Sequence, residues 1–181
     1  MSQCNYWVME TSNNNFPVPL PNCGIIFLHF YFTQFFEEQG LLLNKEFKNS
    51  NSKIKAIQLL LYLATSQVDF KDDFELSFFK ILVEIPNDDL ITFPKPLTER
   101  EITDCRVVLQ SLIEHWSVLK KTSIETLQIQ FLQRKGLVMF EDESIKVHLE
   151  QSGLDILLTY FPFDYSLVKF EWLKKLLRTS I

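Results

Sequence analysis

The sequence predicts a compact, mainly α-helical single domain carrying one small β-hairpin, and three patterns lead to that expectation. Apolar side chains at Ile102, Cys105, Leu109, Leu112, Trp116 and Leu119 step by three and four residues, as on a helix buried along one face, and Val108 and Ile113 widen the stripe. Thr98-Glu99-Arg100-Glu101 and Thr122-Ser123-Ile124-Glu125 both have the form of a capping box, in which a hydroxyl and a carboxylate three residues on satisfy backbone donors that a helix start leaves orphaned. Ile145, Val147 and Leu149 alternate with polar residues across the acidic turn Glu141-Asp142-Glu143-Ser144 from Leu137–Phe140, which is the pattern of a hairpin.

The remaining elements follow in order. The chain has 181 residues, 46% of them apolar and 17 of them Phe, enough to bury a core without a partner. Residues 1–21 are expected to form an extended or disordered arm, because Pro17, Pro19 and Pro21 follow a polar run and each removes a backbone donor. The helical domain then spans 22–181. Gly24–Phe36 predicts a buried helix. It is interrupted by His29, Thr33 and Gln34, and falls short of the roughly 18 apolar residues that a membrane-spanning helix needs. A polar break at Asn44–Ser52 precedes Ile54–Ala64, apolar nearly all round and therefore a central helix. Asp72 and Asp73 stand where they can cap a helix whose Phe74, Phe78, Ile81, Leu82 and Ile85 share one face. Pro86, Pro94 and Pro96 mark a loop. Helices are expected over Thr98–Lys120, where Leu97 and Ile102 can staple the start, and over Thr122–Lys135, with Gly136 as a left-handed C-cap. The hairpin covers 137–149. A short helix near Leu154–Tyr160, a turn at Pro162 and a basic amphipathic helix over Leu167–Arg178 complete the chain.

The net charge of −5 argues against a protein whose main task is to neutralise nucleic-acid phosphates. Four glycines cannot assemble a phosphate-cradling loop or a dinucleotide fingerprint. His29, His115 and His148 are scattered without a zinc spacing, so no metal is expected. Cys105 and His115, ten residues apart on one helix, sit about 15 Å apart along its axis and cannot act as nucleophile and base. The doublets Glu37-Glu38, Asp72-Asp73 and Asp88-Asp89 read as solvated faces or caps rather than catalytic pairs. No catalytic residue, cofactor or small-molecule substrate is expected. Three cysteines, Cys4, Cys23 and Cys105, make a disulfide framework improbable, and the first 44 residues lack the Lys or Arg of a secretory signal, so the reducing cytoplasm is the expected compartment. The alternative function is a winged-helix DNA-binding regulator, since two helices and a hairpin over 98–150 fit that motif; Gln128, Gln130, Gln133, Arg134 and Lys135 would enter the groove. Its wing tip, however, would be acidic where phosphates must be met.

Several blocks resemble a known family. Asn22-Cys23-Gly24, the apolar run to His29-Phe30, Phe35-Phe36 and Gly40-Leu41 resemble the opening block of the contractile injection system tape measure family, which reads Asn-Ala-Gly, an apolar run, His or Trp with Pro-Phe, then Leu-Phe and Gly-Leu. Lys55–Thr65, Leu97–Glu101, His115-Trp116, Leu119–Ser123 and Phe131–Gly136 agree with its further blocks in order and spacing, so the resemblance spans 22–172. Departures are Phe30 for the family's Pro, Val83-Glu84-Ile85-Pro86 for Cys-Gly-Leu-Pro, and Pro162-Phe163 for Pro-Trp. At the end, Phe170-Glu171-Trp172 stands near a Pro-Trp, and the basic run Lys174–Ile181 replaces an extended ending.

The resemblance implies a structural role without catalysis in a bacterial phage-tail-like particle of tube, sheath and baseplate, assembled in the cytoplasm, in which a tape measure protein sets tube length. Even as one continuous helix, 181 residues reach only about 270 Å. The expectation is therefore a compact relative that binds tube, baseplate or cap proteins or aids their assembly. The expected interface is the C-terminal segment: Phe170, Trp172, Leu173, Lys174, Lys175, Leu177 and Arg178. As a helix it would present Phe170, Leu173 and Leu177 on one face beside Lys169, Lys174, Lys175 and Arg178, a combination that suits an acidic groove. The same segment also fits a helix docked on its own core or, less well, an anionic membrane surface.

Overall fold

The computed structural model describes residues 16–181, and its architecture is α/β rather than mainly helical: a five-stranded mixed sheet and a two-stranded ribbon accompany the helices. In chain order, β1 (Val18–Leu20) leads into a 3-10 helix (Cys23–Leu28) and α1 (His29–Glu38). The ribbon follows as β2 (Leu42–Leu43) and β3 (Glu46–Phe47), then α2 (Ser50–Thr65) and α3 (Ser77–Leu82). Next are α4 (Glu99–His115) and α5 (Ile124–Leu127), the latter widening into a π-turn (Gln128–Leu132). The strands β4 (Gly136–Phe140) and β5 (Ser144–Leu149) form the expected hairpin. After a 3-10 helix (Asp155–Tyr160), β6 (Leu167–Val168) and β7 (Leu176–Ser180) end the chain.

Strand order in the large sheet is β1-β4-β5-β7-β6, with β5 and β7 parallel and the other pairs antiparallel. Of the arm expected over 1–21, residues 1–15 lie outside the described residues, and Val18–Leu20 is an edge strand paired with β4. The basic C-terminal helix is not formed. Leu173 and Leu177 satisfy helical spacing, yet Leu177 and Thr179 also alternate with Arg178 and Ser180 at a period of two, and pairing with β5 selects the strand.

The helices follow their local signals more closely. Asn49 caps α2 by accepting from Ser52 N at 2.9 Å, and Ala56–Ala64 is buried on every side, as a central helix requires. The carbonyls at its C-terminus are met by side chains from elsewhere: Gln128 Nε2 donates to Tyr62 O and Leu63 O, and Gln133 Nε2 donates to Ala64 O, at 3.0–3.2 Å. Both halves of the Thr98–Glu101 capping box are present. Its helix stops at His115 rather than Lys120, because Trp116 turns extended and drops its indole into the core, where Nε1 donates to Leu157 O at 3.1 Å. The next cap is Ser123, one residue later than expected. Gly136 is not a left-handed cap but the first residue of β4. A Cβ there would stand 2.9 Å from the Cβ of Cys23, so glycine is required by close approach.

Glu84 occupies left-handed backbone at φ 53°, a conformation that favours glycine, and its carboxylate accepts from Lys174 N at 2.7 Å. Glu84→Ala keeps the strain and loses the bond, and is expected to cost about 1–2 kcal/mol. Glu84→Gly loses the bond but relieves about 1 kcal/mol of strain, so it should stay close to wild type in a urea melt. Equal melts for the two variants would contradict the strain assignment.

Candidate protein interface

Among the described residues, the large sheet is covered on one face only. Val138, Ile145, Val147, Leu149, Val168 and Leu177 point into the single hydrophobic core shared with the helices. The opposite face carries two cross-strand rows set by the register: Pro19, Leu137, His148 and Ser180 in one, and Met139, Lys146, Arg178 and Leu167 in the other. Leu137 and Leu167 are 43% and 54% exposed there. His148 Nδ1 and Ser180 Oγ lie 3.0 Å apart, tying β5 to β7, and Lys146 Nζ pairs with Glu141 at 2.6 Å on the rim. Pro17, Leu137, Met139, Lys146, His148, Arg178 and Ser180 line a shallow trough on this face.

The seven residues of the expected interface separate into two groups. Phe170, Trp172, Leu173 and Leu177 are buried, none more than 5% exposed. Phe170 stacks on Trp172 at 4.8 Å, and the indole meets Phe36 and Phe47 edge-on while its Nε1 donates to Leu82 O at 2.9 Å. Lys174 and Arg178 are exposed and Lys175 is half-buried. Lys174 N is held by Glu84, Lys175 Nζ donates to Glu141 O, and Lys169 Nζ closes the turn onto Leu173 O and Lys174 O. Arg178 alone of the seven stands on the open sheet face. Leu137, Met139, Lys146 and His148 join it there; the hairpin's alternation was a signal for their shared face, whereas the β5–β7 pairing that brings Arg178 beside them has no local signal.

The histidines are scattered. His29 Nδ1–H donates to Ile26 O at 2.9 Å, Tyr31 and His115 hydrogen-bond at 2.6 Å, and His148 lies on the sheet. Among the described residues, no group of three or more His, Cys, Asp or Glu side chains could hold a metal ion, and no helix is long and apolar enough to cross a membrane. Burial raises the Cys23 thiol and pushes Cys105 up to about 12, with Asp104 and Glu101 adding to the latter. In a Cys4→Ser variant, neither thiol is expected to react with an alkylating reagent until the protein unfolds; modification of the native state would contradict their burial. Burial also lowers the His29 pKa from 6.5, outweighing the Ile26 bond and nearby Asp164. The unfolded chain therefore takes up a proton that the folded chain refuses, and stability should fall as pH drops below about 6.5. His29→Asn should flatten that slope in melts across this range; an unchanged slope would exclude His29 as its cause.

The winged-helix alternative meets a topological obstacle. Both outer edges of the β4–β5 hairpin are paired, with β1 and β7, so the hairpin is the centre of a sheet and does not project as a wing.

The sequence blocks that carry the family resemblance lie largely inside the molecule. Asn22 adopts φ 58° and donates to Glu75 O, while Gly24 N donates to Arg134 O at 3.2 Å. Arg134 is itself 7% exposed and paired with Asp155. These blocks build the fold, and the open sheet face lies mostly outside them. A family model described as contractile injection system tape measure protein matches residues 9–181. Neither a curated protein nor a solved structure matched the chain.

Proposed function

Because the chain belongs to the contractile injection system tape measure protein family, we propose that this folded unit is a non-enzymatic component that binds tube, baseplate or cap proteins in the cytoplasm and supports their assembly. Compactness carries the reading. Among the described residues the longest helix, α4, has 17 residues, about 26 Å at 1.5 Å per residue, and the helices and sheet close on one core instead of extending as a rod. A unit of this shape contributes to a particle by docking rather than by its own length.

The test is native purification of the tagged protein from cells that assemble the particle. Tube, baseplate or cap proteins should co-purify, and cells lacking the gene should yield fewer intact particles. A variant with His29 and His115 both replaced, if folded, should restore assembly, since no chemistry is assigned to either. A folded variant of this kind that fails to restore assembly, or a wild-type protein that brings down no particle component, would overturn the reading.

A further inference from the structure

We propose that the open face of the large sheet docks an acidic segment of another particle protein, with an apolar side chain of that segment seated against Leu137 and Met139; this rests on the assembly reading above. A sheet face that meets only water ordinarily alternates to polar residues. This one instead presents Leu137, Met139, Leu167, Pro17 and Pro19.

Charge selects the occupant. The chain as a whole carries a net charge of −5. Yet the outward strand positions hold Lys146 and Arg178, adjacent across β5 and β7, and no carboxylate. Glu141 on the rim pairs with Lys146 and also feels the charge of Arg178, which itself forms no close ion pair among the described residues. An acidic segment with an apolar anchor complements both the apolar row and the exposed Arg178 guanidinium, while a basic one would be repelled.

The edges of the sheet offer a poorer site. Pro17 and Pro19 have no N–H to donate along the β1 edge, and β6 at the other edge is two residues long. Recognition by strand addition is therefore disfavoured, and side-chain contact on the face remains.

The experiment pairs co-purification of particle proteins with photo-crosslinking from position 137 in the full chain. K146E/R178E is compared with K120E/K121E, which changes the net charge equally at exposed lysines after α4. Wild type should crosslink to an acidic segment of a tube, baseplate or cap protein, with recovery falling as salt rises. K146E/R178E should reduce recovery about tenfold, and K120E/K121E should not. If the double reversal unfolds, L137S serves in its place with the same expected loss. Equal effects of the two reversals, or a crosslink to a basic segment, to a second copy or to residues 1–15 of the same chain, would overturn the proposal while leaving the assembly reading intact. Absence of any particle protein with wild type would remove both.

Discussion

Replacing Gly24 by Ala is expected to unfold the protein or destabilise it by about 3 kcal/mol or more, the upper end of what overpacking costs. A Cβ at that position would stand 1.8 Å from Phe131 O and 2.9 Å from Phe131 C. The obstruction is backbone in the π-turn, so no rotamer change relieves it. The Gly24 amide also donates to Arg134 O, so backing the 3-10 helix away would break that bond as well. Gly153 is the control: nothing lies within 4 Å of its would-be Cβ, and Gly153→Ala should stay within about 0.5 kcal/mol of wild type. A chemical-denaturation curve for Gly24→Ala that overlays wild type would show that the two blocks do not pack as described.

Trp116→Ala is expected to cost about 3–5 kcal/mol. The indole is fully buried, lies edge-on to Phe131 at 4.7 Å and to Phe161 at 4.8 Å, and donates to Leu157 O. Truncation leaves a cavity among three elements and an unpaired carbonyl. Trp116→Phe, which retains most of the volume but not the donor, should lose less. A melt unchanged by Trp116→Ala would place the indole at the surface.

Helices were legible in the sequence where their determinants are local. The Thr98–Glu101 box and the Ile102–Ile113 stripe lie within one segment, so pattern reading finds them. The sheet was less legible for the opposite reason. β1 contains a proline, β6 is two residues long, and β7 acquires its identity from pairing with β5 rather than from its own composition. The short stretch Leu173–Leu177, two lysines between leucines, fits helix and strand alike, and that ambiguity underlies the expected C-terminal helix that the structure replaces. The spacing that groups Arg178 with Phe170, Leu173 and Leu177 presupposes a helix, whereas strand pairing sets Arg178 beside Lys146, a neighbour that no local pattern indicates. Departures from the family's blocks are coupled in space. Phe30 stacks on Phe163 at 4.1 Å with rings 8° from parallel, and Glu84 bonds the backbone of Lys174. Each of these differences lies against another, which sequence order alone conceals.

The central claim, that this unit serves assembly by docking and not by its length, is tested most directly by measuring tube length in electron micrographs of particles. A small folded domain is inserted in the exposed loop near Leu90, which is 85% exposed and distant in sequence from the open sheet face. Particles built with the enlarged protein should have the wild-type tube-length distribution. Tubes that lengthen in proportion to the inserted domain would contradict the account and make the folded unit itself part of the ruler.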